Sequence, residues 1–184
     1  MAQQRMVFVR HARPRIVEDV PPADWDLDPE GVTAAGHLAE KLAGFSFAEI
    51  VSSPEPKAAG TAQPIADRFG IGISFDEGLA EHRRRSAGFV SREAAERRIE
   101  ALFDNPGEIV FGEESAEVCF ARFAASVERA RLRKDTNLLF VTHGTVLTIY
   151  LSRLCGFAPM PFWRSLGLSA AVVLTGREID VLAP

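Results

Sequence analysis

The sequence predicts an α/β fold, a three-layer α/β/α sandwich on a mostly parallel central sheet of about six strands. Three observations predict it. Short apolar runs alternate with amphipathic helical segments along nearly the whole chain, the pattern of strand–crossover–strand units. Two of those runs, inside "RMVFVRHA" and "NLLFVTHG", are continuously apolar, as strands covered on both faces must be. Finally, 184 residues with 47% hydrophobic and 25% charged side chains suit one domain spanning residues 1–184. A core of that size needs neither metal nor disulfide.

The strands are expected over residues 6–10, 49–52, 71–75, 138–142, 170–175 and 179–182. After the first, Asp28 can cap a helix whose first position takes Pro29, where a missing N–H does no harm. Val32, Ala35, Leu38, Ala39 and Leu42 then form one apolar face, and Gly44 suits the stop. Ser53-Pro54 should open a second helix running to Phe69, kinked at Pro64. Two more are expected over 91–105 and 115–134, the latter turning Val118, Phe120, Phe123, Val127 and Ala130 inward. A further helix fits 145–154, and "PFWRSL" reads as a single turn. Pro21-Pro22 and residues 81–112 read as excursions from the sheet. Alternation alone does not fix the strand order.

Composition narrows the function. A net charge of −4 argues against nucleic-acid binding through phosphate neutralisation, so any anion site must be a local positive focus. Cys119 and Cys155 form no CxxC pair, which leaves zinc and dithiol chemistry without support; both are expected as buried thiols. The first residues hold no apolar signal core and no run approaches a membrane span. A cytoplasmic protein without nucleic-acid or membrane partners is expected.

Ligands of such sheets bind beyond the carboxyl ends of the strands. The first strand ends in Arg10-His11, the second in Ser52-Ser53 with Lys57 a helical turn later, and the fourth in Thr142-His143-Gly144. Two imidazoles, an arginine and a lysine therefore share one rim. The second and fifth helices begin there too, aiming N–H groups at the same space. A lone strand-end histidine is usually structural and a lone helical lysine usually solvated. Their convergence instead points to a pocket of phosphate dimensions.

The stretches "VRHARP", "SSPEPKAAGTAQPIA", "LAEHR" and "VTHGTV" resemble, in order and spacing, the histidine phosphatase superfamily, the phosphoglycerate mutase-like proteins. The resemblance covers nearly the whole chain. It implies that His11 is the nucleophile that becomes phosphohistidine, with Arg10 holding phosphate oxygens through its planar fork. It implies that His143 is the second pocket histidine, with Gly144 beside the phosphate. Glu81 would protonate the leaving oxygen and later activate water. Such chemistry requires no cofactor and no metal: a neutral imidazole attacks phosphorus, and positioned cations stabilise the transfer.

Two positions depart from the family pattern. Ala12 follows His11 where glycine is usual, and Lys57 stands where a second arginine is usual. Lysine keeps the charge and loses the bidentate fork. In "EHRRR", Arg83 or Arg84 could supply the missing fork, or the segment could be a solvated loop. Glu81 could equally be the arginines' ion-pair partner, leaving Glu113 or Glu114 as proton donor. The expectation is a phosphatase acting on phosphate monoesters, either small molecules or a phosphorylated protein side chain. A non-catalytic phosphate or phosphopeptide binder and, with less support, a mutase are its rivals. An acyl-transfer hydrolase would need a Gly-x-Ser-x-Gly elbow that the chain lacks. The oligomeric state stays open.

Overall fold

The computed structural model describes residues 5–133 and 136–182. In chain order the elements are β1 (Arg5–Arg10), α1 (Pro29–Lys41), β2 (Glu49–Ser52), α2 (Pro56–Phe69), β3 (Ile73–Phe75), α3 (Arg92–Asp104) and α4 (Ala116–Arg133). There follow β4 (Leu138–Thr142), α5 (Gly144–Cys155), α6 (Pro159–Ser165), β5 (Ala171–Thr175) and β6 (Glu178–Leu182). The strands form one sheet in the order β3-β2-β4-β1-β5-β6. β3, β2, β4 and β1 run parallel, and β5 and β6 add an antiparallel edge. Only Gly176 and Arg177 join β5 to β6, too short a link for a crossover, so that pair must be a hairpin.

The continuous apolar runs are central strands, as their pattern requires. Val7 and Val9 of β1 and Val141 of β4 pack on one face against Leu38 and Leu42, and against Ala58, Ala62 and Ile65 of α2. Phe8 and Phe140 pack on the other face against Phe123 and Val127 of α4 and Leu147 of α5. Phe8 stacks on Phe140 with centroids 5.0 Å apart, tying neighbouring parallel strands through their side chains.

Several boundaries and faces differ from expectation. Helix α2 starts at Pro56 with Glu55 as its N-cap, not at Ser53, because Pro54 and Pro56 together keep the preceding backbone extended. β3 begins at Ile73, two residues late. Lys134, the expected end of α4, lies outside the described residues. Val32 is 60% exposed and Val118 54% exposed. Gly31 takes Val32's place against the protein, since a Cβ there would overlap the Arg13 carbonyl. On α4 the buried positions are Cys119, Phe123, Ser126, Val127 and Ala130, with Phe120 only partly covered. Cys119 is buried as expected, whereas Cys155 is only half-buried near the end of α5. Among the described residues no helix is long and apolar enough to cross a membrane.

The α1 geometry yields the first prediction. Gly31→Ala should lower stability by about 2 kcal/mol because backbone must shift to admit the methyl group. Val32→Ala, on solvent, should change it by less than about 0.5 kcal/mol. Urea unfolding of the two variants checks the order; equal effects would refute the packing described for Gly31.

Candidate active site

The site starts from the register of β1 and β4. Arg10 pairs with Thr142 at the carboxyl end of both strands. The His11 N–H donates to the Thr142 carbonyl (2.9 Å), so His11 and His143 leave the sheet side by side, their ring centroids 5.2 Å apart. The carbonyl of Ala12 can only accept, so the 2.8 Å contact to His11 Nδ1 assigns the proton to that nitrogen. His11 Nε2 then carries the lone pair. Ala12 is fully buried, and its N–H donates to Thr61 Oγ1 (2.9 Å), which fixes the loop after the histidine.

His143 is fully buried at the N-cap of α5, its Nε2 2.8 Å from Ser53 Oγ and 3.5 Å from Glu55 Oε1. Burial depresses both imidazoles well below their ordinary value. For His11 the neighbouring His143 and Lys57 add to the effect, and for His143 Lys57 does so. Both rings are therefore neutral near pH 7. Arg10 reaches sideways to the Leu166 carbonyl, and among the described residues its buried Nε has no partner, nor does His143 Nδ1. Gly144 leaves room for that guanidinium: a Cβ there would come within 3.0 Å of Arg10 Nε.

Lys57, read as a solvated residue if taken alone, is 5% exposed. Its ammonium donates to the Pro22 carbonyl (2.7 Å) and to Glu55 Oε2 (2.5 Å). Glu55 went unnoticed in the sequence. Its other oxygen accepts the Glu81 N–H (2.8 Å), so one carboxylate links the lysine, the second histidine and the Glu81 backbone.

Glu81 lies at the rim with its carboxylate on the start of α5. It accepts from the N–H groups of Thr145 (3.1 Å), Val146 (2.9 Å) and His82 (2.8 Å), with Arg84 Nη2 at 3.5 Å. These α5 donors, expected to face an anion, are thus already engaged. Burial works to raise the Glu81 carboxyl, but Arg84, His143 and the two backbone donors at His82 and Thr145 outweigh it. The group is held far below the usual carboxylate range.

The "EHRRR" segment divides. His82 is buried, its Nε2 donating to the Glu114 carbonyl (2.8 Å). Arg83 is exposed along the cavity wall, while Arg84 turns inward to Thr145 Oγ1 (3.3 Å) and Glu81. Arg85 forms a bidentate pair with Asp24. Glu114 is buried against Arg122, and Glu113 caps the N–H groups of Arg85 and Ser86. Arg122 also donates to the carbonyls of Gly78, Ala80 and Glu81. It clamps the segment that presents Glu81. A charged residue between Cys119 and Phe123 on the inner face of α4 was the available signal for it.

His11, Lys57, Glu55, Glu81 and Arg83 to Arg85 wall one cavity of about 680 Å³. Its cations, Lys57 and the three arginines, are matched by Glu55, Glu77, Glu81 and Glu113. The local positive focus expected from sequence is therefore internally balanced.

The family model of the histidine phosphatase superfamily (branch 1) matches residues 6–178. The chain belongs to that superfamily. The probable phosphoglycerate mutase GpmB of Salmonella choleraesuis is 27% identical over 147 residues, covering 77% of this chain and 67% of that protein. A mycobacterial glucosyl-3-phosphoglycerate phosphatase superposes with a TM-score of 0.76 at 21% identity, covering 92% of this chain and 89% of the other. Phosphoserine phosphatase from Entamoeba histolytica, in complex with 3-phosphoglyceric acid, gives 0.77 at 18% identity over 98% and 95% of the two chains. The last two likenesses establish the shared fold.

The titration directions predict a two-stage acid response. A histidine depressed by folding is protonated more readily in the unfolded chain, so stability should fall once pH drops below about 6.5. The Glu81 contribution is present above the ordinary glutamate value and is lost only below about pH 4.3. Urea midpoints from pH 8 to 2.5 check this. Replacing both His11 and His143 by asparagine should flatten the stretch between pH 7 and 5; an unchanged slope would contradict the assignment.

Proposed function

We propose that this chain is a phosphatase that hydrolyses phosphate monoesters through a phosphohistidine formed on His11. The observation that carries the reading is the neutral His11 ring, with Nδ1 pinned on Ala12 and Nε2 left with its lone pair at a cavity wall. In this reading Nε2 attacks phosphorus while the phosphorus–oxygen bond to the alcohol breaks, and water later cleaves the phosphorus–nitrogen bond. Arg10 and His143 are neighbours for the phosphoryl oxygens, each with an unfilled buried nitrogen. Arg84, on the wall of the same cavity as Lys57, offers the planar fork that the lysine lacks.

Glu81 is the carboxylate beside His143 and Arg84, and it starts ionised. The proton for the leaving oxygen then has to arrive with the substrate. A phosphate monoanion carries one, and Glu81 can pass it to the alcohol before serving as base toward water. Glu114 is unsuited to that part because Arg122 holds it buried, away from the cavity. The substrate is expected to be a phosphorylated small molecule rather than a protein side chain, since the Pro22–Asp24 turn and the 83–90 segment meet over the pocket through Asp24 and Arg85.

One observation favours a binder that does not turn over: Glu55 already occupies Lys57. Hydrolysis of p-nitrophenyl phosphate in the presence of a chelator separates the two. Wild type should release phosphate and His11→Ala should not, while keeping its fold. No release from wild type, with phosphate still raising its melting temperature, would favour the binder. Two further outcomes are expected. Activity should decline above about pH 6 as the phosphate monoanion is lost. Glu55→Gln should bind inorganic phosphate about fivefold more tightly, because a like charge leaves the pocket.

A further inference from the structure

A second cavity, of about 840 Å³, opens from the same nucleophile. It shares His11, Pro14, Pro22, Trp25 and Arg84 with the first, so the two meet where the ester bond would lie. Its wall comes largely from residues 14–28 and 84–111, the latter carrying helix α3. Two contacts hold these segments together. Arg85 grips Asp24, and the Trp25 and Phe89 rings sit 6.2 Å apart. Trp25 Nε1 donates to the carbonyls of Val17 (3.0 Å) and Val20 (2.9 Å), which fixes the indole in place.

The chemistry of this wall differs from that of the first cavity. Trp25, Phe89, Phe111, Ile99 and Leu168 give it an aromatic and aliphatic lining. Ile16 and Phe89, 60% and 42% exposed, present large apolar side chains beside it. Five arginines line it against one carboxylate, Asp28. Arg13 is already paired with Asp28 and Glu30, and Arg92 with Glu96. Arg98, half-buried on the inner side of α3, has no ion-pair or hydrogen-bond partner among the described residues. An apolar body beside an unengaged guanidinium defines a ligand with a flat apolar part and an anionic end.

We propose that this cavity holds the alcohol half of the substrate, and that the substrate is an aryl phosphate monoester whose ring carries a second anionic group facing Arg98. The proposal rests on the phosphatase reading for turnover but not for binding. Trp25, Phe89 and Phe111 cover the ring, and Arg98 takes the distal carboxylate or similar anion.

Binding is tested with 4-carboxybenzylphosphonate, benzylphosphonate and methylphosphonate, none of which can be hydrolysed at an ester bond. Calorimetry on wild type should rank them in that order of affinity, each step about tenfold. Equal affinities for all three would overturn the proposal. Turnover is tested with 4-carboxyphenyl phosphate against phenyl phosphate. Arg98→Gln should lower the ratio of their kcat/KM values about tenfold, a comparison in which leaving-group differences cancel. A ratio unchanged by Arg98→Gln, with both esters hydrolysed, would overturn the role of Arg98 and leave the phosphatase reading intact. Hydrolysis of neither ester would remove the phosphatase reading, and the phosphonate ranking would then decide the cavity's ligand alone.

Discussion

Everything at the rim depends on the parallel pairing of β1 with β4. With Arg10 opposite Thr142, the next residue of each strand must emerge at the same height, and those residues are His11 and His143. A slip of one residue would turn every side chain of β1 to the other face, forcing Phe8 against α1 and α2 and leaving Val7 and Val9 to fill its place against α4 and α5. The register is held by the packing of both faces: Phe8 on Phe140 to one side, Val7 and Val9 under α1 and α2 to the other. The hydrophobic core thus sets the spacing of two imidazoles it does not contain.

Electrostatics then decides what those imidazoles can do. Burial keeps both neutral, and the Ala12 carbonyl fixes the His11 tautomer, which suits the nucleophilic role proposed for it rather than an ion pair. The surrounding charges are arranged in coupled pairs. Lys57 faces Glu55, and Arg84 faces Glu81. Arg122 faces Glu114 behind them. A buried charge without a partner is strongly disfavoured, so a pocket that waits for an anion must supply carboxylates of its own. On the proposed reading, an incoming phosphate would exchange partners with these carboxylates rather than enter an empty positive field.

The strand ends were legible in the sequence because their polarity contradicts the local rule. Arg10-His11 and His143 follow runs such as "MVFV" and "LLFV", where polarity has no place in a core. The alternation of strand and helix gave the layered class, yet the antiparallel β5–β6 edge needed the length of a two-residue link to be weighed against a crossover. Less of the site was legible. Glu55 carried no signal in the sequence, and only the fold brings it to Lys57 and His143. Periodicity placed Val32 and Val118 inward because it ranks residues by hydropathy; Gly31 and Cys119 won those faces through close approach and burial. Among the glutamates at 81, 113 and 114, only the family resemblance favoured Glu81 in the sequence. Long-range partners separate them, since Arg122 holds Glu114 and α5 holds Glu81.

The proposed chemistry turns on a covalent bond between phosphorus and His11. The most direct measurement mixes the enzyme with a ³²P-labelled aryl phosphate, quenches within milliseconds in alkali and maps the labelled peptide. An acid-labile, alkali-stable label is expected on the peptide containing His11, formed before steady-state release and absent from His11→Ala. A label on another residue, or product release with no labelled protein at any quench time, would contradict it.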